Sequence, residues 1–305
     1  EPWWTAAARR ADIVLPCATN LERNDIGAVS SDRFWYAMQQ AIPPVGQART
    51  DHDIYAALAE RLGFREVFTE GRSEEAWLRH LYEEARQENG ELNLELPGFD
   101  SFWENGHFEF PIPENPTVLF ETFREDPESN PLRTPSGKIE IFSETIDSFG
   151  YDDCLGHPAW FEPTEWLGSE KANQHPLHLI SNQPRTRLHS QLDVGVISQG
   201  SKISGREPVW INPQDATARG ILDGDVVRIF NDRGACLAGA LVTGEIRPGV
   251  VQLSTGSWYD PLDPGVAGSL DKHGNPNVLT MDKGTSKLAQ TSSAQTALVE
   301  IELFE

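Results

Sequence analysis

Cysteine is scarce: Cys17, Cys154 and Cys236 are the only three in 305 residues. Scattered and odd in number, they build neither a disulfide framework nor a Cys-x-x-Cys zinc or iron–sulfur site, and read as separate buried or half-buried thiols. This usage fits the cytoplasm, with the periplasm as the alternative, because an exported protein can also lack disulfides. Basic residues are few as well, 25 Lys and Arg against 47 Asp and Glu, for a formal net charge of −22. A surface of that sign repels phosphates, so no non-specific binding to nucleic acid or anionic lipid is expected. No apolar run approaches the roughly 20 residues that cross a bilayer. The opening "EPWWTAAARRADIVLP" lacks a charged segment followed by a long apolar one, so no membrane insertion is expected. Walker A, G-x-G-x-x-G and G-x-S-x-G sequences are missing too, and no self-sufficient catalytic set is visible.

What is present can furnish a core: 38% hydrophobic residues, with nine Trp and fourteen Phe, suit one large or two ordinary globular domains. The short apolar run "ADIVLP" (11–16), ended by proline, predicts a buried strand. "TDHDIYAALAERLGF" predicts a helix: Thr50 and Asp53 resemble a capping box, Ile54, Leu58 and Leu62 share a face, and Gly63 ends it. One strand and one helix cannot close a layered domain, so residues 1–66 read as the remnant of an α/β domain whose other strands lie upstream. "SEEAWLRHLYEEARQENG" (73–90) predicts a second helix, capped by Ser73, with Trp77, Leu78, Leu81 and Ala85 as its stripe and Gly90 past its end.

Residues 67–170 read as this helix followed by irregular, aromatic-rich connecting structure, with "TPSG" as a turn and "KIEIF" as an alternating strand. From 171 to 305 the pattern changes to short strands between turns. "PLHLIS", "RPGVVQLS" and "ALVEIEL" are strands, and "DGDVVRIFNDRGACLAGALV" is a hairpin around Asn231 to Gly234. "NPQDATARG" is a short helix with Asn212 as N-cap, Pro213 at its first position and Gly220 past its end. Short strands at this spacing predict a small barrel, which leaves the loops as the place for function.

Two of those loops are rich in hydrogen-bonding groups. "SNQPRTRLHSQ" (181–191) gathers Ser181, Asn182, Gln183, Arg185, Arg187, Leu188, His189, Ser190 and Gln191. Planar guanidinium forks beside amides suit a heteroaromatic or phosphorylated ligand, the alternative being a solvated loop after a strand. "DKHGNPNVLTMDKGTSKLAQTSSAQT" (271–296) repeats the theme with Lys272, His273, Asn275, Asn277, Asp282, Lys283, Thr285, Ser286 and Gln290, among glycines that let backbone amides approach a ligand. "GSWYDP" (256–261) adds aromatic faces between them, and the whole suggests a nucleotide-sized site. Other groupings carry less. Asp152, Asp153, Cys154 and His157 form a mixed set without a partner motif, the acidic pair Glu104 and Glu109 could be drawn as a glycosidase acid and nucleophile, and "ERND" (22–25) is a charged loop with a salt-bridged alternative.

Taken together, "ADIVLP…LERNDIG", "ARTDHDIYAALAERLG", "SNQPRTRLHSQ", "INPQDATARGILDGDVVRIFNDRG", "GSWYDP" and "GNPNVLTMDKGTSKLAQ" resemble the C-terminal part of molybdopterin oxidoreductases of the dimethyl sulfoxide reductase family. The resemblance implies a mixed α and β fold: a C-terminal double-psi-type β-barrel that binds the molybdopterin dinucleotide, plus the partial α/β domain. It implies a bis(molybdopterin guanine dinucleotide) molybdenum cofactor, contacted by Ser181, Asn182, Gln183, Arg187, Leu188, His189, Ser190 and Gln191, with Asn275, Asn277 and Gln290 from the second loop. The implied reaction is reduction of an S-oxide or N-oxide, such as biotin sulfoxide, dimethyl sulfoxide or trimethylamine N-oxide, fed by an electron donor. The family's metal-holding serine and substrate-contacting aromatics fall in a part absent from these residues, so no catalytic and no metal-ligating residue is assigned, and the fragment alone is expected to be inactive. The competing classes are a stand-alone nucleotide- or sugar-binding module and a hydrolase built on the acidic pair.

Overall fold

The computed structural model describes residues 1–30, 32–91, 94–112, 118–292 and 297–304. The chain packs as two compact units, Glu1–Glu121 and Thr122–Glu305.

In the first unit, β1 (Asp25–Ala28), β2 (Phe34–Met38) and β3 (His107–Glu109) form an antiparallel sheet. Helices α1 (Asp51–Leu62), α2 (Arg65–Thr69), α3 (Glu74–Glu91) and α4 (Phe99–Asn105) accompany it. The expected caps of α1 are present: the Thr50 side chain accepts from the Asp53 N–H, and Gly63 closes the helix in the left-handed region. Its buried residues are Ala56 and Ala59, however, while Leu58 and Leu62 are exposed. On α3 the anchor is Tyr82 rather than Leu81. Tyr82 stacks on Phe102 at 4.5 Å, meets Phe99 and Trp35 edge-on, and its hydroxyl donates to Pro97 O at 2.8 Å. Aromatic packing with the phenol satisfied is the form in which a buried Tyr stabilises. Burial pushes its hydroxyl up to about 12. Residues 94–112, expected to be irregular, contain α4, whose Phe99 and Phe102 complete this core.

Two predicted strands are corrected. Residues 11–16 are not a strand: Ile13 is 78% exposed, and the segment is held at its ends, by the Ala11 N–H donating to Ala8 O, the Glu1 ammonium to Leu15 O, the Arg49 N–H to Pro16 O and a parallel bridge from Cys17 to Arg49. "KIEIF" is not a strand either, with Ile139 and Ile141 exposed. Alternation yields a strand only beside an edge that takes its backbone groups. Here the expected "TPSG" turn folds the segment on itself, with Gly137 N–H donating to Thr134 O and Thr134 Oγ1 to Lys138 O.

The second unit is a closed barrel of six strands: β4 (Leu177–Ile180), β5 (Pro208–Ile211), β6 (Val226–Phe230), β7 (Ala235–Val242), β8 (Val250–Leu253) and β9 (Ala297–Leu303), in the order β4-β8-β5-β7-β6-β9. β4/β8 and β5/β7 are parallel, the other pairs antiparallel. This is the double-psi-type barrel; an up-and-down barrel would have no parallel pairs. Every second residue points inward, so Leu177, Leu179, Val209, Ile211, Val227, Ile229, Val251, Leu253, Val299 and Ile301 fill the interior with Cys236, Ala238 and Ala240 of β7. Complete burial pushes the Cys236 thiol well up, so it acts as a small hydrophobe. The short helix Pro213–Ala218 carries its predicted Asn212 cap and first-position proline.

A buried carboxylate fastens the approach to the barrel. Glu165 takes a two-pronged bond from Arg233 in the β6–β7 turn (2.6 and 3.0 Å), with Lys171 Nζ and the Leu298 N–H each at 3.0 Å. Burial alone would raise this carboxyl, but these donors outweigh it and bring it to about 2. A folded value below the ordinary 4.5 contributes stability above that pH and loses it as pH falls toward 2, an amount of about 3 kcal/mol. Urea midpoints should therefore fall between pH 4.5 and 2, and the Glu165→Gln protein should show a flatter curve over that window.

Candidate functional site

Register places the donor loops together. The C-terminal ends of β4, β6 and β8 and the N-terminal ends of β5, β7 and β9 lie at one mouth of the barrel. Segments 181–207, 231–234 and 254–292 all emerge there, whereas 212–225 and 243–249 turn at the other end. Residues 293–296 of the second donor loop lie outside the described residues.

The loop 181–193 is clipped to 254–258 at several points. The Thr255 N–H donates to Asn182 O (2.9 Å), Arg187 Nη2 to Thr255 O (2.8 Å), and the Trp258 indole N–H to Ser190 O (2.8 Å). Gly256 is the contact point: at φ +95°, an added Cβ would sit 1.8 Å from His189 O. Within the loop, Gln183 Oε1 accepts from the His189 N–H while its Nε2 meets His189 Nδ1 at 2.7 Å, which holds His189 at a left-handed φ of 50°.

Below this lies a group of buried charges. Lys202 Nζ donates to Asp193 Oδ1 (2.8 Å), Glu207 Oε2 (2.7 Å) and Ser257 Oγ (3.1 Å). Arg187 reaches Glu207 Oε2 at 3.1 Å and Asp193 Oδ1 at 3.5 Å, and Asp193 Oδ2 accepts from the Trp258 N–H. All four charged side chains are at most 3% exposed. Burial pushes the Asp193 carboxyl up, but Lys202 and the Trp258 amide outweigh it and leave it below the usual range. Asp271 shows the contrast. It is fully buried and accepts from the Asp260, His273, Gly274 and Asn275 N–H groups, yet with amides alone burial wins and its carboxyl is raised.

These contacts sort the predicted residues. The Arg187 guanidinium is bonded within the protein, and the amides of 273–275 donate to Asp271. Asn275 is half-buried and caps the turn Pro276–Val278. Ser181 is buried; Asn182, Gln183, Leu188, His189, Ser190, Gln191, Asn277 and Gln290 are exposed. Gln290 Nε2 donates to Ser286 O in the small turn 284–292, whose tip is held by Asp152 and Asp153 on Lys287. That contact accounts for the Asp152/Asp153 grouping, and no cluster of three metal-binding side chains occurs among the described residues. Glu109 of the hydrolase pair is bound to Arg33. The side chains of Arg185, Ser190, Gln191 and Asn277 have no hydrogen-bond partner among the described residues, and exposed Leu188, Leu192, Val196 and Ile197 lie in the same stretch of chain. Apolar surface with a few open polar groups suits a flat, polar-edged heterocycle. Lys202, Glu207, Asp193 and Asp271 escaped the sequence reading. Their nearest signal was position, Glu207 directly before a strand and Lys202 between glycines in "GSKISG".

Comparisons with known proteins agree with this geometry. A family model described as molydopterin dinucleotide binding domain matches residues 177–298, and one described as molybdopterin oxidoreductase matches 2–61. The chain is 51% identical over 304 residues to a dimethyl sulfoxide/trimethylamine N-oxide reductase of Cereibacter sphaeroides, 50% over 306 to trimethylamine-N-oxide reductase 1 of Escherichia coli K12, and 49% over 303 to a biotin sulfoxide reductase of C. sphaeroides. Each alignment covers 99% of this chain but 36–40% of the relative, so the chain spans well under half their length. The solved acetylene hydratase of Pelobacter acetylenicus shares the fold, with a TM-score of 0.70 at 20% identity over 99% of this chain and 39% of its own.

The Gly256 contact yields a direct test. Gly256→Ala should displace the 187–191 loop and lower stability by about 2–4 kcal/mol. Gly244→Ala, which meets no atom within 4 Å, should be nearly neutral, both read from urea midpoints. With its barrel matched to the dinucleotide-binding model and its first residues to the oxidoreductase model, the chain is similar over nearly its whole length to part of the molybdopterin oxidoreductases.

Proposed function

We propose that this chain is the cofactor-binding part of a molybdenum oxidoreductase that reduces S-oxides or N-oxides, the substrate class named in its relatives. The observation that carries the reading is the barrel mouth, from which both donor loops emerge, leaving Arg185, Ser190 and Gln191 open in the same stretch as exposed Leu188 and Leu192, and Asn277 open in the second loop. Uncharged amide and hydroxyl groups match the carbonyl and ring-nitrogen edges of pterin and guanine, and a guanidinium matches a pyrophosphate. These residues therefore fit a bis(molybdopterin guanine dinucleotide) cofactor. When bound, the molybdenum supplies the oxygen-atom transfer and the two-electron chemistry. The work of this chain is to hold and orient the organic part and to keep water from it. An electron donor completes the reaction, and the three segments expected from the sequence, 1–66, 67–170 and 171–305, are proposed as a supporting remnant, a connector and the cofactor domain, the first two sharing the β1–β2–β3 sheet.

Protein purified from its native source should contain molybdenum and release two guanine nucleotides per metal on acid treatment; neither metal nor guanine would refute the reading. Gln191→Ala and Asn277→Ala should each lower guanine content with an unchanged melting temperature, since both side chains are exposed and without partners among the described residues. Arg187→Ala should instead lower the melting temperature, because its guanidinium is bonded within the protein.

A further inference from the structure

The buried charges beneath the mouth are balanced, two cations against two carboxylates, and they connect separate stretches of chain. Asp193 ends the first donor loop, Lys202 and Glu207 flank the short turn before β5, and Ser257 and Trp258 belong to the segment after β8. The turn carrying Lys202 is itself fixed on the barrel. Ile203 rests on Gly239 of β7, where an added Cβ would lie 2.3 Å from Ile203 Cβ, and the Gly239 N–H donates to Glu207 O at 3.0 Å. Glu207 N–H in turn donates to His273 O, which ties in the second donor loop. Lys202 is thus the point at which a rigid part of the barrel grips both sides of the mouth.

We propose that Lys202, with Glu207 and Asp193, is a positioning device for the cofactor loops: it sets where Ser190, Gln191 and the 271–277 loop present their donors, without touching the ligand. This rests on the reading of the mouth as the cofactor site. The cluster also has a purely structural duty, because one buried charge left without its partner is destabilising, and the two roles separate by charge bookkeeping. Lys202→Met leaves a net negative charge buried. The double variant Lys202→Met/Glu207→Gln leaves Arg187 with Asp193, balanced again, but lacks the ammonium that joins Asp193 to Ser257.

The test introduces these substitutions, with Lys202→Arg, into the chromosomal gene and purifies the products at their natural length. Melting temperature, molybdenum and guanine nucleotide per polypeptide are then measured. Lys202→Met should lose both stability and cofactor. The double variant should recover most of the melting temperature yet hold about tenfold less cofactor on dilution, the scale on which outer-shell partners act. Lys202→Arg should restore much of the retention. A double variant with full molybdenum and guanine content would overturn the positioning role and leave the cluster structural. If the double variant is as unstable as Lys202→Met, Lys202→Arg decides: a stable Lys202→Arg protein with cofactor no better than Lys202→Met also overturns the proposal. Wild-type protein without molybdenum or guanine would instead sink the cofactor reading itself, a result visible before any variant is made.

Discussion

Charge neutrality under the barrel mouth is the constraint on which the site depends. Four ionised side chains out of water are tolerated only when each carboxylate meets a cation and the remaining lone pairs find donors. Asp193 and Glu207 achieve this through Lys202, Arg187, Ser198, Ser257 and the Trp258 amide. Asp271, in the loop that the Glu207 N–H binds at His273 O, is the counterexample: four amide donors do not offset its burial, and its carboxyl is raised instead of lowered. At Asp193, by contrast, the Lys202 ammonium together with the Trp258 amide outweighs burial and brings the carboxyl below the usual range. Because these bonds run between loops rather than within them, the geometry of each loop is conditional on the others.

The barrel supplies the rigid frame that makes such conditional loops usable. Its interior is filled by aliphatic side chains from all six strands, together with the small residues Cys236, Ala238 and Ala240 of β7. Parallel pairing of β4 with β8 and of β5 with β7 directs three strand ends and three strand starts to one face. A site assembled from loops gains precision when they are anchored on such a frame and on each other. Gly239 and Gly256 mark two close approaches, one fixing the Lys202 turn on the barrel and the other fixing His189 on the segment after β8.

How much of this could be read beforehand depended on the range of the forces involved. Helix caps at Thr50, Ser73 and Asn212, the turn at Gly137 and the β6–β7 hairpin are settled within a few residues, and each was legible. The barrel strands were legible because burial imposes alternation on residues such as Leu177 and Leu179. Residues 11–16 and 138–142 have equally strand-like composition, and α1 has an apolar stripe it does not bury, because pairing and burial are decided by neighbours distant in sequence. The donor loops announced themselves by composition, but composition does not say which donors are spent internally. Arg187 carries the chemistry of a phosphate binder and is placed as a strut, while Lys202, without any motif around it, sits at the centre of the network.

On the proposed reading, that division bears on how a chain of formal charge −22 would hold an anionic dinucleotide at the mouth. Bulk attraction cannot do it, since long-range charge acts against the ligand. Recognition must then come from short-range directional bonds, and the mouth is arranged accordingly: its buried cations are cancelled in place, and the groups left open at its surface are mostly uncharged amides and hydroxyls. Such donors act only at contact distance, so their value depends on being held in register before the ligand arrives. The buried charges, useless for attracting an anion because they are neutralised, become useful as the anchors that keep the neutral donors in place.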